Sequence, residues 1–496
     1  MDSSQLSSTR RPKLELTIRG FNKDTDISQI QELERSCDAE ATPHGGKTSL
    51  VFTVLNVRDP LCRVRSYPSY RMLVAEARTV PEFGTANTKI VGVIRAGIKD
   101  VIGPVEGGEE GGDAVRSPSE YVKVMYISGL RVCCCYRRMG IAQKLVQEIE
   151  SWGITQGAQY AYLASETDNQ PSINLFTHKM GYIKFRSPSI LVQPVYGKLK
   201  MVKPFSGMQH SRNRGILIFK LGPITAERFY RSAHGRTEFF PMDIDRVLRN
   251  PLNFGTWVAC YKEDIAQYKS DTGVYSIDLD DEGEWADPGG SPRSEILRAM
   301  EEGRFTWAML SLWRYDKLIN FEVRGASAFM KRWASLTRLA SKFMPWVVLP
   351  CLPNVFDKSF GVQLIYGLHV SRPDGRRSKD PMTLFNNSVD RPGAKTEWRN
   401  NSNDADKDRT KSLLQSLCWH AHDMALKAGC KAVMVETGSC DPIKEDIPHW
   451  PLLSEHDLWC LKRLCSISPS TGPNHVHDDW CKWPPSASLF PDPRDF

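Results

Sequence analysis

Apolar and polar positions first alternate at residues 13–19 (KLELTIR), which read as a β-strand, and the spacing over 24–37 changes to that of a helix. Two apolar, β-rich runs follow at 70–77 (YRMLVAEA) and 89–98 (KIVGVIRAGI), separated by a turn region bearing Pro and Gly. Residues 103–119 are too polar and Gly-rich to join a core, and read as a flexible loop. Strand 121–132, helix 140–156, strand 159–164, helix 171–180 and strand 182–185 come next. This alternation after a run of strands predicts an α/β layered sandwich.

Beyond Val195 the pattern weakens. Segments 270–293 and 371–411 are rich in Asp, Gly, Asn, Arg and Ser and read as exposed loops, with aromatic-rich apolar stretches such as 305–313 between them. A faint internal repeat joins the halves. Residues 129–132 (GLRV) match 367–370 (GLHV), and 145–163 align without gaps on 417–435, pairing Gly157 with Gly429. The offsets are 367 − 129 = 238 and 429 − 157 = 272. The second α/β unit is therefore expected to be a degenerate copy of the first, with an insertion where the polar loop lies. The expected organisation is a polar N-terminus at 1–12, a first unit at 13–197, a second at 198–466 and a tail at 467–496.

Composition narrows the class without changing this outline. Of 496 residues, 41% are hydrophobic and 25% charged, as in ordinary soluble proteins. The net charge of +7 is a small excess over a long chain, which does not point to a dedicated nucleic-acid platform. Thirteen cysteines without CxxC pairs fit neither a zinc ribbon nor a secreted disulfide framework. With no secretory h-region and no apolar run of membrane-spanning length, an intracellular, reducing compartment is expected. The sequence Arg10-Arg11-Pro12-Lys13 is a short candidate nuclear import signal.

The chemistry concentrates in LRVCCCYRRMGIAQKLV, residues 130–146. A strand runs into a loop that opens a helix. Gly140 and Ala142 lack bulky side chains, so backbone N–H groups there can approach an anion. The helix N-terminus adds its dipole, and Arg137 and Arg138 add charge suited to a pyrophosphate. After this loop come a strand, Asn169, a helix and Gly181-Tyr182. In that order the segment resembles the GCN5-related N-acetyltransferase (GNAT) superfamily. Its Q/R-x-x-G-x-G/A signature is filled by Arg137, Gly140 and Ala142, its N-x-x-A/S motif by Asn169 and Ser172, and its closing G-F/Y by Gly181 and Tyr182. The flanking runs RMLVAEA, GLRV and SINLFTHKMGYIKFRSPSILVQPV resemble the HOOKLESS-type N-acetyltransferases of plants.

That resemblance implies a GNAT mixed-sheet fold, acetyl-CoA as cosubstrate, an amine acceptor on a protein, a role in hormone-dependent growth and a nuclear location. It implies that strand 121–132 splays from its neighbour to admit the pantetheine arm along Leu130, Arg131 and Val132. The loop Arg137, Arg138, Met139, Gly140, Ile141 and Ala142 would hold the pyrophosphate, and Asn169, with Ser172 in its motif, would bond the cofactor. The amine would attack the thioester directly in a ternary complex.

The catalytic half is less fully specified. Where the family usually places an acidic Tyr in the second helix, this chain has Phe176. Tyr126 on the central strand is the substitute, or else a core tyrosine. Glu76 either faces the cleft as a base with a raised pKa or points to solvent at a sheet edge. Cys133, Cys134 and Cys135 are expected to diverge and fill the loop inertly. His420 and His422 are expected on different helix faces, and His475 and His477 in a solvated tail, so no metal site is assigned. Two readings remain: an acetyl-CoA-dependent enzyme, and an acyl-CoA-binding regulator acting through its C-terminal half.

Overall fold

The structure, a computed structural model, describes residues 13–40, 49–53, 59–80, 87–103, 121–195, 215–268, 284–285, 292–324, 326–343, 355–356, 359–372, 401–464, 479–484 and 488–496. The N-terminus 1–12, most of the loops expected at 103–119, 270–293 and 371–411, and His475 and His477 lie outside them.

The strands are β1 (Lys13–Gly20), β2 (Ser49–Thr53), β3 (Ser69–Val80), β4 (Asn87–Ile102), β5 (Tyr121–Val132), β6 (Tyr160–Glu166), β7 (Ile183–Arg186) and β8 (Ser189–Pro194). They continue with β9 (Ile216–Leu221), β10 (Asn253–Tyr261), β11 (Glu284–Trp285), β12 (Trp307–Trp313), β13 (Asn320–Arg324), β14 (Val362–Ser371), β15 (Ala432–Thr437) and β16 (Glu455–Arg463). Among the helices are α1 (Ile27–Glu40), α2 (Ile141–Thr155), α3 (Gln170–Asn174), α4 (Pro223–His234), α5 (Ile244–Leu248), α6 (Lys262–Ile265), α7 (Pro292–Glu301), α8 (Ala328–Phe343) and α9 (Asn401–Lys427). One 14-stranded sheet runs β1-β3-β4-β5-β6-β16-β8-β15-β14-β12-β10-β9-β11, with β7 also bonded to β16. Helix α9 begins inside the segment expected as loop, because its polar first turns hide the periodicity that marks an amphipathic helix.

The sheet is a doubled pattern. The parallel pair β5–β6 is in register at Val124↔Tyr160, and the parallel pair β14–β15 at Val362↔Ala432. The shifts are 362 − 124 = 238 and 432 − 160 = 272, the same two offsets that relate the sequence halves. Each half carries a β-bulge at the matching place. Gly129 and Leu130 stand opposite one residue of β4, and Gly367 and Leu368 opposite one residue of β12. Both glycines have φ of 61°. The crossover helices also correspond: Leu145 and Ile149 of α2 are fully buried, as are Leu417 and Ala421 of α9.

Two observations bear on the expected boundaries. Strand β8 precedes residue 197 but pairs antiparallel with β15, while β16 pairs antiparallel with β6. The halves thus exchange strands across 197/198, within the one 14-stranded sheet. Periodicity shows that a run is a strand, but not which edge accepts it. The segment expected as a tail is also structural in its described parts. Trp480 and Phe490 are buried, and Asp492 and Asp495 bond the fully buried Lys99 Nζ at 2.9 and 2.8 Å. A cation buried in the sheet requires such partners, which lie about four hundred residues away in the chain.

Candidate active site

Strands β5 and β6 are in register at only three pairs, ending at Tyr126↔Tyr162. Beyond that vertex β5 continues to Val132 without β6, whose other edge is bonded to β16 as far as Glu166↔Asp457. The two parallel strands therefore part as a fork. The bulge at Gly129 bends β5 at this point. Its conformation is held by Arg95, which pairs with Glu34 in the interior and donates from Nε to Pro60 O at 2.6 Å and from Nη1 to Gly129 O at 3.4 Å. A Cβ at residue 129 would lie 2.5 Å from Arg95 Nη1, in a backbone conformation that favours glycine.

Leu130, Arg131 and Val132 line the open arm of the fork and are partly exposed. The Cys133 N–H then bonds Val91 O at 2.9 Å, and a 3-10 turn at Cys134–Tyr136 leads into the loop. Arg137, Arg138, Met139 and Gly140 are all exposed, with Arg138 and Gly140 at φ of 62° and 78°. Gly140 is the N-cap of α2, no side chain caps that end, and its first turn has no acidic residue. A Cβ at Gly140 would meet nothing, so the glycine is required for its backbone angle. The buried Ile141 and half-buried Ala142 open the helix. Its first N–H groups have no intrahelical acceptor, and two guanidinium groups lie next to them in the chain, a combination of donors and charge that suits an anion. On the core side, Glu150 accepts from Tyr182 Oη at 2.9 Å and Lys462 Nζ at 2.7 Å, tying α2 to β16.

The other predicted residues separate into distinct places. Asn169 caps α3, its Oδ1 accepting from the Ser172 N–H at 3.3 Å. Phe176 is buried on a π-helical turn, edge-on to Tyr182 at 5.1 Å, as part of the core. Tyr126 sits at the vertex, against Tyr162 at 5.0 Å and Tyr67 at 6.5 Å. Burial, and then the charge of Asp495, push its phenol well above the ordinary range. It therefore stays protonated at neutral pH. Glu76 is not brought near it. It stands on β3, two strands away, and Arg19 Nε donates to it at 2.6 Å. Its position on β3, beside the edge strand β1, supplied an ion-pair partner from β1 instead of a cleft. His420 lies against Trp257 at 4.3 Å and His422 beside Trp419 at 5.2 Å, so the two do not converge.

Sequence reasoning missed three carboxylates. Residues 162, 164 and 166 of β6 share one face by strand alternation, and Asp457 stands opposite Glu166. Burial, followed by the charges of Asp168, Glu455 and Asp457, raises Glu166 to about 7, with Arg131 across the fork opposing it. Burial raises Asp457 to about 6, and burial with Asp457 and Asp495 lifts Glu436 well above the carboxylate range. The available signal was an acidic residue ending each of two otherwise apolar runs, YAYLASE and DLWCL.

The acetyltransferase (GNAT) family model matches residues 59–182, which hold the fork, the loop and α3. The chain is 37% identical to the probable N-acetyltransferase HLS1 of Arabidopsis thaliana, over 97% of this chain and 99% of that one. It is 34% identical to the HLS1-like probable N-acetyltransferase of the same plant, over 97% and 98%. It is 29% identical to the acetyl transferase GW6a of Oryza sativa subsp. japonica, over 99% and 100%. With the family model on the fork and relatives matching end to end, the chain belongs to the GNAT family, among its HOOKLESS-type members, and is an N-acetyltransferase.

Proposed function

We propose that this enzyme uses acetyl-CoA to acetylate an amine on a protein, a lysine or an N-terminus, in the plant nucleus during hormone-dependent growth. The observation that carries the cofactor assignment is the stretch of β5 that β6 leaves unpaired, leading through a short turn and loop to the N-terminus of α2, which no side chain caps. Peptide groups of Leu130, Arg131 and Val132, on the stretch of β5 that β6 does not pair, would bond the pantetheine arm, with Arg137 Nε moving off Val132 O, to which it donates at 3.3 Å. The N–H groups at Gly140, Ile141 and Ala142, with Arg137 and Arg138, would hold the pyrophosphate, and Met139 would cover it. Asn169 and Ser172 fix the start of α3 beside that arm. Acetyl-CoA supplies the activated acyl group.

The acceptor enters as an ammonium ion. Glu166 and Asp457 carry the charge that attracts it and have near-neutral affinity for its proton, as a base at physiological pH requires. They lie about 13 Å along the strand from the vertex by strand rise, so the proton passes through water. Tyr126 at the vertex donates to the departing thiolate. Glu76, held by Arg19, supports the sheet edge in this reading. The resemblance to the HOOKLESS-type group and the basic run Arg10-Arg11-Pro12-Lys13 support the nuclear and growth assignments.

Calorimetry tests the cofactor step: acetyl-CoA should bind wild type, and Gly140→Glu should weaken binding by ~100-fold. No heat and no CoA-dependent stabilisation of wild type would refute it. Turnover on a peptide library then tests transfer. The buried Phe176, which has no proton to give, favours one other reading, an acyl-CoA-binding regulator. Tight binding without turnover on any peptide would select it.

A further inference from the structure

The three consecutive cysteines before the phosphate loop do not diverge as expected. Their Sγ atoms all lie within 4.8 Å of one another, and those of Cys134 and Cys135 are 3.6 Å apart. Successive side chains on a regular strand or helix point apart. Here the backbone changes conformation within the triplet. Cys133 is extended, with φ of −53° and ψ of 137°, and the next three residues form a 3-10 turn. Hydrogen bonds anchor both sides of that change. The Cys133 N–H donates to Val91 O at 2.9 Å, the Tyr136 N–H to Cys133 O at 2.9 Å and the Arg137 N–H to Cys134 O at 3.2 Å. The convergence is thus built into the end of β5 and its link to β4.

The donor set selects the ligand. Metal–thiolate bonds of about 2.3 Å in a trigonal plane place the sulfurs about 4 Å apart, within the spacing found here. Three soft donors with no carboxylate in the group discriminate against magnesium and calcium in favour of thiophilic ions. Cys134 and Cys135 are exposed and Cys133 is half-buried, so an ion reaches them from solvent. The exposed guanidinium groups of Arg137 and Arg138, two to five residues on, offset the negative charge of a three-thiolate complex. By contrast, Cys37, Cys260, Cys418, Cys430 and Cys460 are buried.

We infer that Cys133, Cys134 and Cys135 form a three-thiolate site for a thiophilic d10 metal ion, zinc(II) or copper(I), in the turn between β5 and the phosphate loop. The site needs no acyl-CoA and does not depend on the acceptor assignment. Full-length protein, reduced and stripped of metal, is titrated with cadmium(II) while the thiolate-to-metal charge-transfer absorption is followed. One equivalent should bind, with the intensity of three Cd–S bonds. Each single change, Cys133→Ser, Cys134→Ser or Cys135→Ser, should weaken it ~10-fold or more, and the triple change should abolish the band. Circular dichroism and thermal melting verify that the variants fold. If the serine changes destabilise the chain, alkylation of the exposed Cys134 and Cys135 in wild type provides the same comparison. A band that survives the triple change, or an intensity of two bonds or fewer, overturns the site. Competition with a chromophoric copper(I) chelator and with a zinc indicator then identifies the ion, and release of both to these competitors at micromolar concentration also overturns it.

Discussion

The molecule contains the same fork twice, and the two copies are filled differently. Around Gly129 the bulge is held by a guanidinium group, β5 beyond it is not paired with β6, and a helix N-terminus that no side chain caps follows. Around Gly367 the same bulge and the same φ recur, but the space is filled with side chains. Tyr230 reaches over Gly367, donating from Oη to Ser311 Oγ at 2.7 Å and Tyr366 O at 3.4 Å, and a Cβ at 367 would lie 2.2 Å from it. His234 lies 5.5 Å from His369, and Trp307 and Phe490 complete the aromatic filling. Burial lowers His234 to about 3 and His369 to about 4, so both are neutral core groups. Backbone geometry, which depends on one glycine and a register shift, persists in both copies. The capacity for chemistry rests on side chains that differ between them.

The largest expected effect comes from breaking the two vertices differently. Tyr126→Phe should lower kcat by ~100-fold or more while leaving the acetyl-CoA Kd unchanged, since it removes only a proton donor. Steady-state kinetics with calorimetry on the same preparation checks this, and a matched loss of affinity would show a structural role instead.

The two glycines should separate stability from binding. Gly367→Ala should cost about 2–4 kcal/mol of folding stability, because the added carbon meets the Tyr230 ring and φ is strained. Gly129→Ala meets the end of a longer, more yielding side chain, so it should destabilise less but weaken acetyl-CoA binding by ~10-fold. Denaturant unfolding and calorimetry on both variants test the contrast.

A smaller effect concerns pH at the first fork. Glu166 and Asp457 must be ionised to accept a proton, so kcat/KM should rise as pH increases through about 6 and about 7. Glu166→Gln should flatten the upper part of that rise. A carboxylate raised in the folded state also binds protons more tightly than in the unfolded chain, so its contribution to stability falls as pH climbs from the unfolded value towards 7. The Gln variant should therefore be the more stable protein at pH 8, by ~1 kcal/mol after solvent screening.

The smallest expected effect lies at the second fork. His234 and His369 are depressed, so the unfolded chain binds the extra protons between about 4 and 6.5, and stability should drop as pH falls through that window. His369→Phe should reduce that loss and leave acetyl-CoA affinity unchanged, as thermal melts from pH 7 to 5 would reveal.

Local pattern determined much of this protein. The alternating runs gave most strands of the first half, the Arg-x-x-Gly-x-Ala loop located the helix start, and the two offsets of the repeat recur in the sheet register. These features are legible because strand alternation, helix entry and positive-φ glycines are properties of neighbouring residues. Tertiary structure alone decided which edge each strand joins, so the exchange of β8 and β16 was invisible to periodicity. It also decided which charges are buried. Lys99 meets Asp495 across almost the whole chain, Glu76 is claimed by Arg19, and Glu166 acquires its proton affinity from burial first, with Glu455 and Asp457 on a strand contributed by the other half adding to it. Burial and long-range charge set these outcomes, and neither is a property of adjacent positions in a sequence.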